Sequence, residues 1–187
     1  MTPATPPRRS PSPRLLAAAL GTLGSALAVV GCAPAPAPTP TPTPVFTSEE
    51  EAFAAAEETY RAYNEAFNSV DASDSVTFEA LYDLSSGDFE AADRKTLSEL
   101  NAEGLALTGS TTVSYFEGLS SEPPFSRVEA LVCVDVSGLD VVDKSGQSAI
   151  DTNRPQINPL VVTFLLSGGE LLINRADRDE QAQCVAD

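Results

Sequence analysis

The stretch Arg127-Val128-Glu129-Ala130-Leu131-Val132-Cys133-Val134-Asp135-Val136 decides the fold. Val128, Ala130, Val132, Val134 and Val136 share one parity, and Arg127, Glu129, Leu131, Cys133 and Asp135 the other. That is the period-2 pattern of a strand with one buried face. Toward the C-terminus, Leu160 to Leu166 is apolar on both parities, as a central strand requires. Glu170 to Arg175 follows across Ser167-Gly168-Gly169, a hairpin signal. Upstream, Leu105, Leu107, Thr111, Val113 and Tyr115 fall on one parity of a further extended run, which makes four strands.

Ahead of the strands the period changes. Ser48 with Glu51 three residues on is a capping-box signal. Phe53, Ala56, Tyr60, Tyr63 and Phe67 then recur at helical spacing, which predicts one amphipathic helix over roughly 48–69. Phe78, Leu81 and Tyr82 predict a shorter second helix. Phe89, Ala92, Thr96, Leu97 and Leu100 predict a third, stopped by Gly104. Helices followed by strands give an α+β domain, with three helices packed on one side of an antiparallel sheet of about four strands.

From the Ser48-Glu49-Glu50-Glu51 helix start to the strand pair Leu160–Leu166 and Glu170–Arg175, this order resembles small actinobacterial lipoproteins with a nuclear transport factor 2-like, cone-shaped fold. The resemblance implies a curved sheet partly wrapping a pocket. The family hosts both enzymes and non-catalytic binders, and none of its functional residues carries over to this chain.

Residues 1–32 have their own logic. Arg8, Arg9 and Arg14 are the only charges before Glu49, and they precede an apolar run from Leu15 to Val30. This matches an export signal, and the run is short for a permanent span of roughly 20 residues. Ser10 and Pro11 behind the arginine pair favour the Sec route over the twin-arginine route. Val29-Val30-Gly31-Cys32 resembles the lipobox of bacterial lipoproteins, which implies cleavage after Gly31 and palmitate-type acylation of the Cys32 sulfur. An uncleaved N-terminal membrane helix with an incidental cysteine is the competing reading. From Ala33 to Pro44 proline occupies every second position, which favours a stiff extended stalk. Thr39, Thr41 and Thr43 within it are candidates for O-linked sugars. The expected organisation is a signal peptide over 1–31, a lipidated cysteine and linker over 32–46, and one domain over 47–187.

With Cys32 assigned to lipid, Cys133 and Cys184 are left as a pair in an oxidising compartment, which predicts a disulfide; two semi-buried free thiols are the alternative. Loss of the leader takes the net charge from −16 to −19, with 8 basic residues against 27 acidic. Such a surface lacks the basic footprint that nucleic acid requires. The chain has no histidine, which removes Ser-His-Asp and Cys-His catalysis and His-ligated zinc together. No phosphate-binding glycine loop occurs. Carboxylates, tyrosines, Lys95 and Lys144 are what remains for chemistry, and no catalytic, cofactor-binding or metal-binding residue is assigned. The acidic groups Asp135, Asp140, Asp143 and Asp177, Asp179, Glu180 do not match a calcium loop and read as solvated turns.

Two function classes follow. The first is a non-enzymatic binding or accessory module on the extracytoplasmic face of the cell membrane. Cys32 would anchor it, and its partner would be a small apolar ligand or a surface protein. The second is a carboxylate- or tyrosine-dependent isomerase or dehydratase in a cone-shaped pocket. The helix-facing set Val128, Ala130, Val132, Val134 and Val136 holds no ionisable group, which favours binding; a buried carboxylate facing Tyr63 or Tyr115 in a cavity would reverse that preference. Tyr60, Tyr63, Tyr82 and Tyr115 all fall at apolar-face positions, where packing with a hydrogen-bonded hydroxyl is expected. Arg154, in the irregular segment Lys144 to Pro159, is the candidate contact for an anionic ligand. Phe125, after Glu122-Pro123-Pro124, is either exposed or tucked under the hairpin.

Overall fold

The computed structural model describes residues 43–184. The leader, Cys32 and the stalk residues to 42 lie outside the described residues. The first helix, α1, spans Glu49–Phe67. Ser48 Oγ accepts the Glu51 amide at 3.2 Å, while the Glu51 carboxylate reaches back to the Thr47 amide at 2.8 Å and its hydroxyl at 2.9 Å. The cap therefore closes one residue further back than a Ser48–Glu51 box would. Ala52, Ala56, Tyr60 and Tyr63 form the buried stripe of α1. A 3-10 turn over Ser75–Phe78 runs into α2, Glu79–Tyr82, and seats Phe78 and Leu81 in the core. The third helix, α3, spans Gly87–Glu103 and ends at Gly104, whose φ of +69° only glycine adopts without strain.

The strands are β1 Ala106–Gly109, β2 Thr112–Ser120, β3 Arg127–Asp135, β4 Leu139–Val142, β5 Ile157–Ser167 and β6 Glu170–Arg178. Four of them form an antiparallel sheet in the order β2-β3-β5-β6, and β1 pairs with β4 in a separate ribbon. The period-2 face of β3 is buried from Val128 to Val136, as its sequence demands. It aligns with the inward residues of β5, Val132 lying opposite Leu160 and Val128 opposite Phe164. Helix α1 packs across β2, β3 and β6, and α3 packs on β6. Bulges in β2 and in the β5–β6 pairing bend the sheet around the helices. Gly118 in β2 lies directly under the Phe53 ring of α1, where a Cβ would overlap the ring.

The extended run from Leu105 to Tyr115 differs from its expectation as a single strand. Thr111, 6% exposed, breaks it in two. Its amide donates to Asn68 Oδ1 at 2.8 Å, and its carbonyl accepts from Asn68 Nδ2 at 2.8 Å and Asn64 Nδ2 at 3.1 Å. Both backbone groups are spent on side chains of α1 and its C-cap residue Asn68, so this residue has none left for a ladder. Beyond it, the register shift between Val113 and Tyr115 moves Tyr115 to the outer face, opposite Cys133, and turns Phe116 inward.

Phe46, counted with the linker in the sequence, is 8% exposed and joins the core, so packing starts one residue earlier than expected. Phe125 takes the tucked alternative: it is partly buried against the core. Cys133 and Cys184 form a disulfide that holds the C-terminal segment against the outer face of β3. Among the described residues, no helix is long and apolar enough to cross a membrane.

Candidate functional site

Where β3 leaves the sheet and β5 enters it, the helices do not close over the strands, and a cavity of about 270 Å³ remains. Its floor is aliphatic, from Val134, Val136 and Leu160. Its walls are the aromatic rings of Tyr60, Tyr63 and Phe67 on α1 and Phe89 on α3, with Leu139 at the rim. Tyr63 meets Phe89 edge-on at 5.1 Å, and Tyr60 meets Tyr63 at 6.0 Å and Phe164 at 6.4 Å. No charged side chain lines it. Ligand sites are commonly concave and mostly apolar with a few polar groups, at about 300–1,000 Å³. This one suits a small molecule.

The polar groups on the wall divide into spent and unspent. Asn64 and Thr111 are tied to each other, Thr111 Oγ1 donating to Asn64 Oδ1 at 2.7 Å. The Tyr63 hydroxyl donates to Asp93 Oδ2 at 2.9 Å. Tyr60 is 4% exposed, and its hydroxyl has no hydrogen-bond partner among the described residues, yet it is not sealed by protein. Tyr60 lines the cavity. Asn158 sits opposite Val134, hence on the inward face of β5, and its side-chain amide is likewise unpartnered among the described residues.

Asp93 is the carboxylate that the strand pattern did not show. It is half-buried on α3, in phase with Phe89 and Leu97, and that phase is the signal by which the sequence discloses it. Burial pushes its carboxyl up to about 6, the hydrogen bond from Tyr63 holds it back, and Glu90 adds to the rise. Burial, and then the nearby Asp93, push both the Tyr60 and Tyr63 phenols well above the usual range. Asp93 faces Tyr63 but is not part of the cavity wall.

The raised carboxyl has a stability consequence. Between the ordinary value of 3.8 and about 6, the folded chain holds a proton that the unfolded chain releases. The stabilisation is complete below about pH 4 and is lost as pH rises through 6. Asp93→Asn keeps an acceptor for Tyr63 but cannot ionise. With allowance for partial exposure, it is expected to exceed the parent by about 1–2 kcal/mol at pH 7.5, the gap closing near pH 4. Urea unfolding at the two pH values checks this, and a gap independent of pH contradicts it.

Arg154 lines a separate cleft with Asp140, Asp151 and Gln156, and part of its guanidinium is engaged by the backbone. Its Nη2 donates to the carbonyls of Val136 at 2.7 Å and Leu139 at 2.5 Å, so it clamps the turn that forms the cavity rim. The acidic groups serve turns: Asp135 accepts the Ser137 amide, Asp140 the Ser148 hydroxyl, and Asp143 the Ser145 and Gln147 amides. Asp177 pairs with Arg175, and Asp179 caps the Gln181 amide. Tyr82 lies under Arg94, whose guanidinium carbon is 3.6 Å from the ring centroid. The outward Tyr115 bonds Glu117 at 3.1 Å rather than joining the core.

No family model matches the chain, and neither does any curated protein. Among solved structures, it is similar to the intermembrane space region of the chloroplast protein ARC6. The identity is 15% and the TM-score 0.51, over 67% of this chain and 95% of that one. It is also similar to a protein from Novosphingobium aromaticivorans provisionally assigned as an aromatic ring hydroxylase. Here the identity is 13% and the TM-score 0.51, over 73% of this chain and 94% of that one. These likenesses concern the fold alone, and the class they define is α+β, with helices packed against an antiparallel sheet.

Proposed function

We propose that the chain is an extracytoplasmic lipoprotein whose domain binds a small apolar molecule, without catalysis, at the open end of the cone. The observation that carries this reading is the 270 Å³ cavity, walled by aromatic and aliphatic side chains with no charged group among them. The titratable groups on the wall are the Tyr60 and Tyr63 phenols, which burial pushes well above the usual range and so keeps protonated rather than poised for proton transfer near neutral pH. Asp93, which pairs with Tyr63, is the feature that favours the isomerase or dehydratase alternative. Its bond to Tyr63 and its place off the wall leave binding ahead.

The anchoring part of the proposal rests on Val29-Val30-Gly31-Cys32, the apolar run before it and the proline stalk after it. A structural disulfide in the domain agrees with an oxidising compartment. Two acyl chains are needed for stable retention, since one binds only marginally. Cys32→Ser is therefore expected to abolish palmitate incorporation and block processing at this site. Radiolabelled palmitate that still enters the Cys32→Ser chain would remove the anchor from the proposal.

A further inference from the structure

We infer that the cavity selects an uncharged ring compound bearing one polar group, which is held between the Tyr60 hydroxyl and the Asn158 amide; this rests on the binding reading above. Tyr60 is 4% exposed, and its hydroxyl, which has no partner among the described residues, is not a fully enclosed atom, so it keeps an opening through which a partner can reach it. The residue lines the cavity. The neighbouring phenol shows the contrast: Tyr63 is satisfied by Asp93 and has no bond left to give.

Asn158 is the second unspent group. It breaks an inward series that continues as Leu160, Val162, Phe164 and Leu166, where an aliphatic residue would pack as well against Val134. An amide offers both a donor and an acceptor, and a phenol does the same. Together they match a hydroxyl or carbonyl on the ligand, with either polarity. Around them, Tyr63, Phe67 and Phe89 present ring faces and edges that favour a flat apolar body. No cation lines the space, and the Asp93 carboxylate stands behind Tyr63, so an anionic head group meets no counter-charge.

Three probes of one shape test this: ethylbenzene, 4-ethylphenol and 4-ethylbenzoate, titrated into the full chain and followed by NMR of the tyrosine and valine signals. The expected result is 4-ethylphenol binding about five- to tenfold tighter than ethylbenzene, about one net hydrogen bond's worth, with 4-ethylbenzoate weakest. Tyr60→Phe and Asn158→Leu are each expected to narrow the difference between 4-ethylphenol and ethylbenzene to about twofold or less. Equal binding of those two by the parent chain, or a preference that survives both substitutions, overturns the inference and leaves the apolar pocket standing. Tightest binding of 4-ethylbenzoate overturns the uncharged class. If none of the three shifts a cavity signal, the binding reading falls and takes the inference with it.

Discussion

Replacing Cys133 and Cys184 together by alanine is expected to lower the unfolding free energy by about 4 kcal/mol. The bond closes a loop with a sequence separation of 51, and the entropy it removes from the unfolded chain corresponds to about that amount at 25 °C. Domains of this size are commonly stable by only about 5–15 kcal/mol, so the loss is a large share. Cys133 is buried on the outer face of β3, opposite Tyr115 on one side and Pro159 on the other. Cys184 sits beside Pro155, Ile157 and Pro159, which are the outward residues at the entry to β5. Asn158 lies between them and faces the cavity. The bridge therefore braces from outside the segment whose inner face carries Asn158. Urea unfolding with and without dithiothreitol checks the magnitude: the parent should fall to the level of the double variant, and the double variant should not respond. A reductant effect below about 1 kcal/mol would contradict it.

The parts of this architecture legible in the sequence are those governed by one periodicity. Val128 to Val136 alternates without interruption, so the face and burial of β3 follow from counting. The α1 stripe and the Gly104 stop are equally local. The cysteine pair was legible for a different reason: two cysteines beside an export leader leave one intramolecular partner each. What was not legible depends on long-range hydrogen bonds and on single-residue insertions. Thr111 reads as a strand residue until Asn64 and Asn68, more than forty positions earlier, take its backbone groups. Tyr115 keeps the parity of Val113 in the sequence and loses it at a bulge. Asn158 lies between Pro155 and Pro159, so the first residues of β5 read as loop. Arg154 announces a positive charge, but its carbonyl partners come from a turn whose path the sequence does not give.

Phe164→Ala is expected to cost about 3–5 kcal/mol, the range for emptying a fully buried phenylalanine site. Phe164 is 0% exposed at the centre of the sheet, with Val128 opposite on β3 and Ile173 opposite on β6. Neither neighbour can fill the space without leaving its ladder, so collapse into the void is limited. The unbroken alternation of β5 against β3 turns the ring to the face that carries α1, where it meets Tyr60 at 73°. Tyr60 thus packs against Phe164 and Tyr63 while it lines the cavity. Removing the ring frees Tyr60 to tilt into the core, and the hydroxyl leaves the wall. The substitution should then reduce 4-ethylphenol binding more than ethylbenzene binding, although Phe164 does not line the cavity. Phe164→Leu retains most of the volume and should cost about 1–2 kcal/mol, with a correspondingly smaller effect on binding. Urea midpoints give the stability term, and titration of the folded variants gives the binding term. An alanine variant within about 1 kcal/mol of the parent would mean that the sheet and α1 close over the gap. In that case Tyr60 is positioned by Tyr63 alone.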